Sequence, residues 1–159
     1  MLKIADEAPD FTLPDDRGNQ VKLSDLRQSH VVLYFYPKDD TSGCTREAKD
    51  FSGLSGEFAS LGVHILGISK DSAEKHMKFR KKHQLNVTLL SDNASDVCER
   101  YGVWKEKSMY GKTYMGIERT TFYIGPNGSI LKIWNKVRVP GHAEDVLATA
   151  RELHLPDSK

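Results

Sequence analysis

The most apolar run in the chain is Val31-Val32-Leu33-Tyr34-Phe35-Tyr36. It is continuous rather than alternating, which is the pattern of a strand buried on both faces. Val63-His64-Ile65-Leu66-Gly67-Ile68-Ser69 reads as a second core strand, and Val87-Thr88-Leu89-Leu90 as a short third. Phe51, Leu54, Phe58 and Leu61 fall at i, i+3, i+7 and i+10, one stripe of a helix. Seven residues back along that stripe stands Cys44, in the first helical turn and on its core-facing side. A charged segment from about Asp71 to Gln84 predicts an exposed helix capped by Asp71 or Ser72. Asp92 is placed to cap a helix bearing Ala94, Val97, Cys98 and Tyr101. Thr120 to Ile124 and Ser129 to Trp134 flank Gly125-Pro126-Asn127-Gly128, a hairpin signal. Ala143, Val146, Leu147, Ala150 and Leu153 share one face of a final helix. Residues 8 to 30 are rich in turn formers and read as an irregular lead-in with a short strand near Val21–Leu23. The order predicts one α/β domain over residues 1–159, a central mixed sheet flanked by helices on both faces. Residues 156–159 read as a loose end.

Composition narrows the function classes. With 23 basic and 22 acidic residues the net charge is +1, which gives no footprint for nucleic acid or anionic lipid. The basic run Lys75 to His83 reads as a solvated helix face. No stretch approaches the roughly 18 consecutive apolar residues of a membrane span. The first residues carry acids and no apolar core of a leader, so a cytoplasmic protein is expected. Two cysteines, Cys44 and Cys98, are too few for a disulfide framework and fit a reducing compartment with a chemical role for at least one thiol. The six histidines show no metal spacing, and Asp39 with Asp40 reads as a solvated loop without a third ligand. No phosphate-binding glycine loop or nucleophile-elbow serine is present. No metal and no cofactor are expected.

The chemistry concentrates in Pro37-Lys38-Asp39-Asp40-Thr41-Ser42-Gly43-Cys44. Here a thiol sits where a buried strand ends and a helix begins. Free amide N–H groups and the positive end of the helix dipole stabilise a thiolate there. Thr41 adds a hydroxyl, and Gly43 an unobstructed backbone approach.

The spacing Pro37-x-x-x-Thr41-x-x-Cys44 resembles the active-site motif of peroxiredoxins. Tyr34 to Thr41, Gly43-Cys44-Thr45 and Glu47-Ala48 resemble the Q-type subfamily, also called bacterioferritin comigratory proteins. Gly116-Ile117-Glu118-Arg119-Thr120-Thr121-Phe122 is similar to the family segment that carries an active-site arginine, at the position of Arg119. Ala8-Pro9-Asp10-Phe11-Thr12-Leu13 matches the family's opening. The resemblance implies a thioredoxin-like fold and a thiol-dependent peroxidase acting on hydrogen peroxide and organic hydroperoxides. Cys44 would be the nucleophile, and Arg119 would favour the thiolate and polarise the peroxide. Thr41 would accept from the peroxide while donating toward the sulfur. The N–H groups of Gly43 and Cys44 would act as an oxyanion hole, and Pro37 would exclude water. A peroxide substrate, an external thiol reductant (thioredoxin, glutaredoxin or glutathione) and a monomer are implied.

Three positions depart from the pattern. Where many Q-type members place a resolving cysteine, five residues after the nucleophile, this chain has Lys49; at the alternative site in the following helix it has Arg80. That leaves Cys98, read either as a buried core thiol or as an atypical resolving cysteine. At position 42, Ser replaces the family's common proline. Two other readings stand beside the peroxidase: a thiol–disulfide oxidoreductase, for which Cys44 lacks a partner at Cys-x-x-Cys spacing, and a non-enzymatic interaction or holdase module of the same fold. Proline is preset for the first helical position, so Ser42→Pro is expected to stiffen the first turn and slow recycling of the oxidised thiol. Identical peroxidase and recycling rates in the variant and the wild type would remove that role from Ser42.

Overall fold

A computed structural model describes residues 1–154; the expected loose end at 156–159 lies outside them. Two three-residue strands, β1 (Thr12–Pro14) and β2 (Gln20–Lys22), form an antiparallel ribbon ahead of the main sheet. After a 3-10 turn at Leu23–Leu26, which takes Leu23 out of the expected strand, the elements follow in the order β3 (His30–Phe35), α1 (Ser42–Gly53), α2 (Ser55–Ser60), β4 (Val63–Ser69), α3 (Ala73–His83) and β5 (Thr88–Ser91). Then come α4 (Val97–Arg100), β6 (Trp104–Met109), β7 (Lys112–Ile117), β8 (Thr120–Ile124), β9 (Ile130–Trp134) and α5 (His142–Leu153). The central sheet has five strands in the order β5-β4-β3-β8-β9. β3, β4 and β5 run parallel, while β8 is antiparallel to β3 and β9 to β8, so the sheet is mixed as expected.

The unbroken apolar run of β3 divides between two cores. Val31, Leu33 and Phe35 pack on one face with Phe11, Leu13, Val97 and Tyr101. Val32, Tyr34 and Tyr36 pack on the other with Phe51, Phe58, Phe79 and Val146. The second face is covered by α1, α2, α3 and α5. The first is covered by the one-turn helix α4 and the N-terminal segment, so the expected helical layer on that side is mostly irregular chain.

Several local expectations are revised. The stripe from Phe51 to Leu61 spans two helices, because the chain breaks at Leu54 between Gly53 and Ser55-Gly56, where helix propensity is low. α3 is capped by Ser72, whose hydroxyl accepts from the Lys75 N–H at 3.2 Å. It is exposed as expected over Glu74, Lys75, Lys78, Lys81 and Lys82, but its other face is not: His76 and Phe79 are buried, and Arg80 reaches inward to Asp16 at 2.5 and 3.0 Å and to the carbonyls of Leu85 and Val87. Asp92 accepts from the N–H groups of Val97 and Cys98 at 3.2 and 2.8 Å, so it does cap α4. That helix starts only at Val97 and leaves Ala94 exposed. Leu153, expected on the buried face of α5, is 41% exposed.

The β6–β7 hairpin carries no clear apolar period, and its turn lies at Tyr110-Gly111, both with positive φ (53° and 77°). No helix among the described residues is long and apolar enough to cross a membrane.

Gly67 of β4 lies directly beside Tyr34 of β3 in the parallel register. A Cβ there would meet the Tyr34 ring at 2.6 to 2.9 Å, so the bare glycine makes room for an aromatic on the adjacent strand. Gly67→Ala is expected to destabilise the fold by about 1–3 kcal/mol through overpacking, read from urea denaturation midpoints.

Candidate active site

The site is built where β3 ends. The chain leaves the strand at Tyr36, turns through residues 37–41 and enters α1 with Thr41 as its N-cap, in extended conformation (φ −93°, ψ 158°). The first intrahelical bond is Thr45 N–H to the Thr41 carbonyl, 2.8 Å. The N–H groups of Gly43 and Cys44 precede it and belong to the unpaired set at a helix start. Cys44 follows in the first turn, 1% exposed, on the stripe with Ala48 and Phe51. The expectation that the thiol faces the core at a helix mouth therefore matches the geometry.

Arg119 arrives from the far side of β3, in the turn between β7 and β8. Its Nη2 donates to Cys44 Sγ at 3.4 Å, and its Nη1 donates to Glu47 Oε1 at 2.6 Å. Burial works against the guanidinium charge, but Glu47 and Cys44 more than offset it and hold the arginine above its ordinary pKa. A Cβ at position 43 would lie 3.1 Å from Arg119 Nη2, so Gly43 leaves room for the guanidinium over the thiol.

Glu47 is the residue that motif reading passed over as flanking text. It stands one turn after Cys44 on the same helix face and is 1% exposed. Burial pushes its carboxyl up to about 7, against the pull of Arg119. Its position three residues from Cys44 was the available signal, since i and i+3 share a face. Two buried polar atoms lack a hydrogen-bond partner among the described residues: Glu47 Oε2 and the Tyr34 hydroxyl.

Thr41 departs from its expected role. Its hydroxyl donates to the Lys38 carbonyl at 2.9 Å, closing the turn on itself rather than donating toward the sulfur. Asp40, at φ 61°, folds the turn back so that this carbonyl is the acceptor within reach. Pro37 is half-buried at the mouth. Asp39, expected in a solvated loop, is 8% exposed and hydrogen-bonded.

Cys98 is not part of this site. It is fully buried against Val31, Leu33 and Phe35, on the opposite face of the sheet from Cys44. Burial, with Asp92 beside it, pushes its thiol far above the ordinary range. A disulfide needs Cα atoms within about 7 Å, so joining the two would require one thiol to cross the sheet. Lys49 lies exposed on α1, and Arg80 is held by Asp16, so neither expected resolving position offers a thiol.

A thioredoxin-like sheet presenting a helix-mouth thiol under a partly buried arginine defines the class of peroxide-reducing thiol enzymes. The chain belongs to the AhpC/TSA family, whose model matches residues 4–133. It is 49% identical over 146 residues to a putative peroxiredoxin bcp of Coxiella burnetii, covering 92% of this chain and 97% of that one. It is 47% identical over 152 residues to peroxiredoxin Bcp of Bacillus subtilis, covering 96% and 97%. Among solved structures, a mutant peroxiredoxin Q of Xylella fastidiosa superposes with a TM-score of 0.92 at 36% identity, covering 98% and 99%. The bacterioferritin comigratory protein of Xanthomonas campestris, studied for alkyl peroxide reduction, superposes with a TM-score of 0.86 at 41% identity, covering 91% and 92%.

The raised Glu47 carboxyl has a consequence for stability. Its unfolded value is near the ordinary 4.5, and its folded value is about 7. Between these the folded state binds more protons than the unfolded, so stability falls as pH rises through that window. Glu47→Gln removes this component. Urea midpoints at pH 5 and 7.5 should show the wild type losing up to about 3 kcal/mol relative to the variant.

Proposed function

We propose that this protein reduces hydrogen peroxide and organic hydroperoxides as a one-cysteine peroxidase. The observation that carries the reading is the pairing of Cys44 Sγ with the partly buried Arg119 at 3.4 Å, while the second thiol lies across the sheet. In the first half-reaction the Cys44 thiolate attacks one peroxide oxygen. The S–O bond forms as the O–O bond breaks, sulfur is oxidised by two electrons to the sulfenic acid, and the departing alkoxide or hydroxide takes up a proton. Arg119 steadies the thiolate before attack and the negative charge that moves onto the leaving oxygen. The Gly43 and Cys44 N–H groups add donors at the same place. Removing one such donor costs roughly 100- to 1000-fold in rate in comparable sites.

In the second half-reaction an external thiol attacks the sulfenic sulfur and releases water, leaving a mixed disulfide. A second external thiolate then attacks the outer sulfur and frees the Cys44 thiolate. Thioredoxin, glutaredoxin and glutathione all supply this chemistry. The same reading has the protein working as a monomer in the cytoplasm, in keeping with two free thiols and the lack of a disulfide framework.

One equivalent of hydrogen peroxide should add a single oxygen to the intact mass of both wild type and Cys98→Ser. Cys44→Ser should gain none and lose peroxidase activity. A loss of two hydrogens in wild type, absent in Cys98→Ser, would replace the one-cysteine cycle with an internal disulfide. No mass change in any of the three would count against the peroxidase itself.

A further inference from the structure

A second buried polar cluster lies behind the active-site turn, formed by three groups from three elements. The Tyr36 hydroxyl, at the end of β3, donates to Asp39 Oδ1 at 2.6 Å. His76 of α3 meets Asp39 Oδ2 through Nδ1 at 2.6 Å and the Leu90 carbonyl through Nε2 at 2.9 Å. The Asp39 N–H donates to Asp71 Oδ2 at 2.7 Å. His76 is fully buried, Tyr36 is 1% exposed and Asp39 is 8% exposed.

The partners fix the protons. A carbonyl only accepts, so Nε2 carries one. A carboxylate at 2.6 Å from Nδ1 requires another between them, so the pair is an imidazolium–carboxylate contact or its proton-transferred equivalent. Such a contact in a dry site is costly to break on one side only.

The turn is tied a second time at the surface. Asp40 takes its left-handed conformation, and its carboxylate accepts from Lys82 Nζ at 2.7 Å and faces His83 Nε2 at 2.8 Å. Both ties run to α3. Thr41 follows Asp40 and caps the helix that carries Cys44.

We propose that His76 is a positioning residue for the peroxidase reaction: through Asp39 it holds the Pro37–Thr41 turn on α3, and so sets where Thr41 and the first turn of α1 stand over the peroxide. This rests on the peroxidase reading of Cys44. His76 touches no reacting atom, and its effect passes entirely through the turn.

Three variants test it. His76→Leu and Asp39→Ala each remove the tie. Asp39→Asn can rebuild it, because its amide can donate to Nδ1 of a neutral imidazole whose Nε2–H still serves Leu90. The measured quantity is the second-order rate of Cys44 oxidation by hydrogen peroxide, at a temperature where each variant shows a cooperative unfolding transition well above it. His76→Leu and Asp39→Ala should fall roughly 10- to 100-fold, as expected for a misplaced reacting group, and Asp39→Asn should recover most of that loss. The same ranking should appear in alkylation of Cys44 by iodoacetamide, which involves no peroxide. Wild-type rates in both truncated variants would overturn the proposal. So would an Asp39→Asn rate as low as that of Asp39→Ala, since charge rather than position would then be what counts. If the alkylation ranking holds across the variants but the wild type consumes no peroxide, the peroxidase reading fails and with it the reaction served, while the hold of His76 on the turn that positions Cys44 is supported.

Discussion

Arg119 carries a positive charge that it shows to water over only a small part of its side chain, and the site depends on what shares that charge. Two acceptors do so: a carboxylate one helical turn past the thiol, and the thiol sulfur itself. Glu47 fixes one arm of the guanidinium, and the planar fork then directs the other arm at Cys44. The arrangement works only because position 43 carries no side chain and Cys44 and Glu47 are spaced to share a face of α1. A buried pair of this kind is weak evidence of stability, since desolvation opposes the attraction. Its value lies in orientation, with the free Glu47 oxygen and the raised carboxyl as its cost.

The sheet supplies the second constraint. Because β3 is buried on both faces, alternate residues belong to separate cores, and the two thiols fall one to each. Cys98 is buried in its core with Asp92 beside it, and burial pushes its thiol up. Its packing is that of a small hydrophobe. Cys44 lies just beyond the strand end, where the backbone donors of a helix start point at whatever approaches. The same strand thus separates the two thiols.

Much of this could be read from residue order. The continuous run at 31–36 indicated a central strand, and the helical stripe placed Cys44 inward in a first turn. The motif spacing and the Arg119 segment pointed to the fold and the family. What escaped were features set by contacts distant in sequence. The α1–α2 break depends on two glycines and a serine outweighing a regular apolar stripe. The inward turn of His76 and Arg80 on α3 depends on acceptors from residues 16, 39, 85, 87 and 90, which no local period reveals. The β6–β7 hairpin is held by pairing and a Tyr-Gly turn, with charged side chains along β6 and mostly exposed residues on β7, so alternation was faint. Thr41 chose a carbonyl three residues back because of the left-handed backbone at Asp40, a conformation that nothing in an aspartate announces.

The separation of the two thiols also bears on timing. A protein with an internal partner thiol can close its own oxidised state at a rate set by its structure. On the one-cysteine reading proposed above, the second thiol across the sheet takes no part, and the oxidised state ends on collision with another molecule. Its lifetime then scales inversely with the supply of reducing thiol around it. The fraction of chains found oxidised at any moment is a ratio of two encounter frequencies, one with peroxide and one with reductant. On that reading the fold would make the molecule a gauge of redox balance as much as a consumer of oxidant.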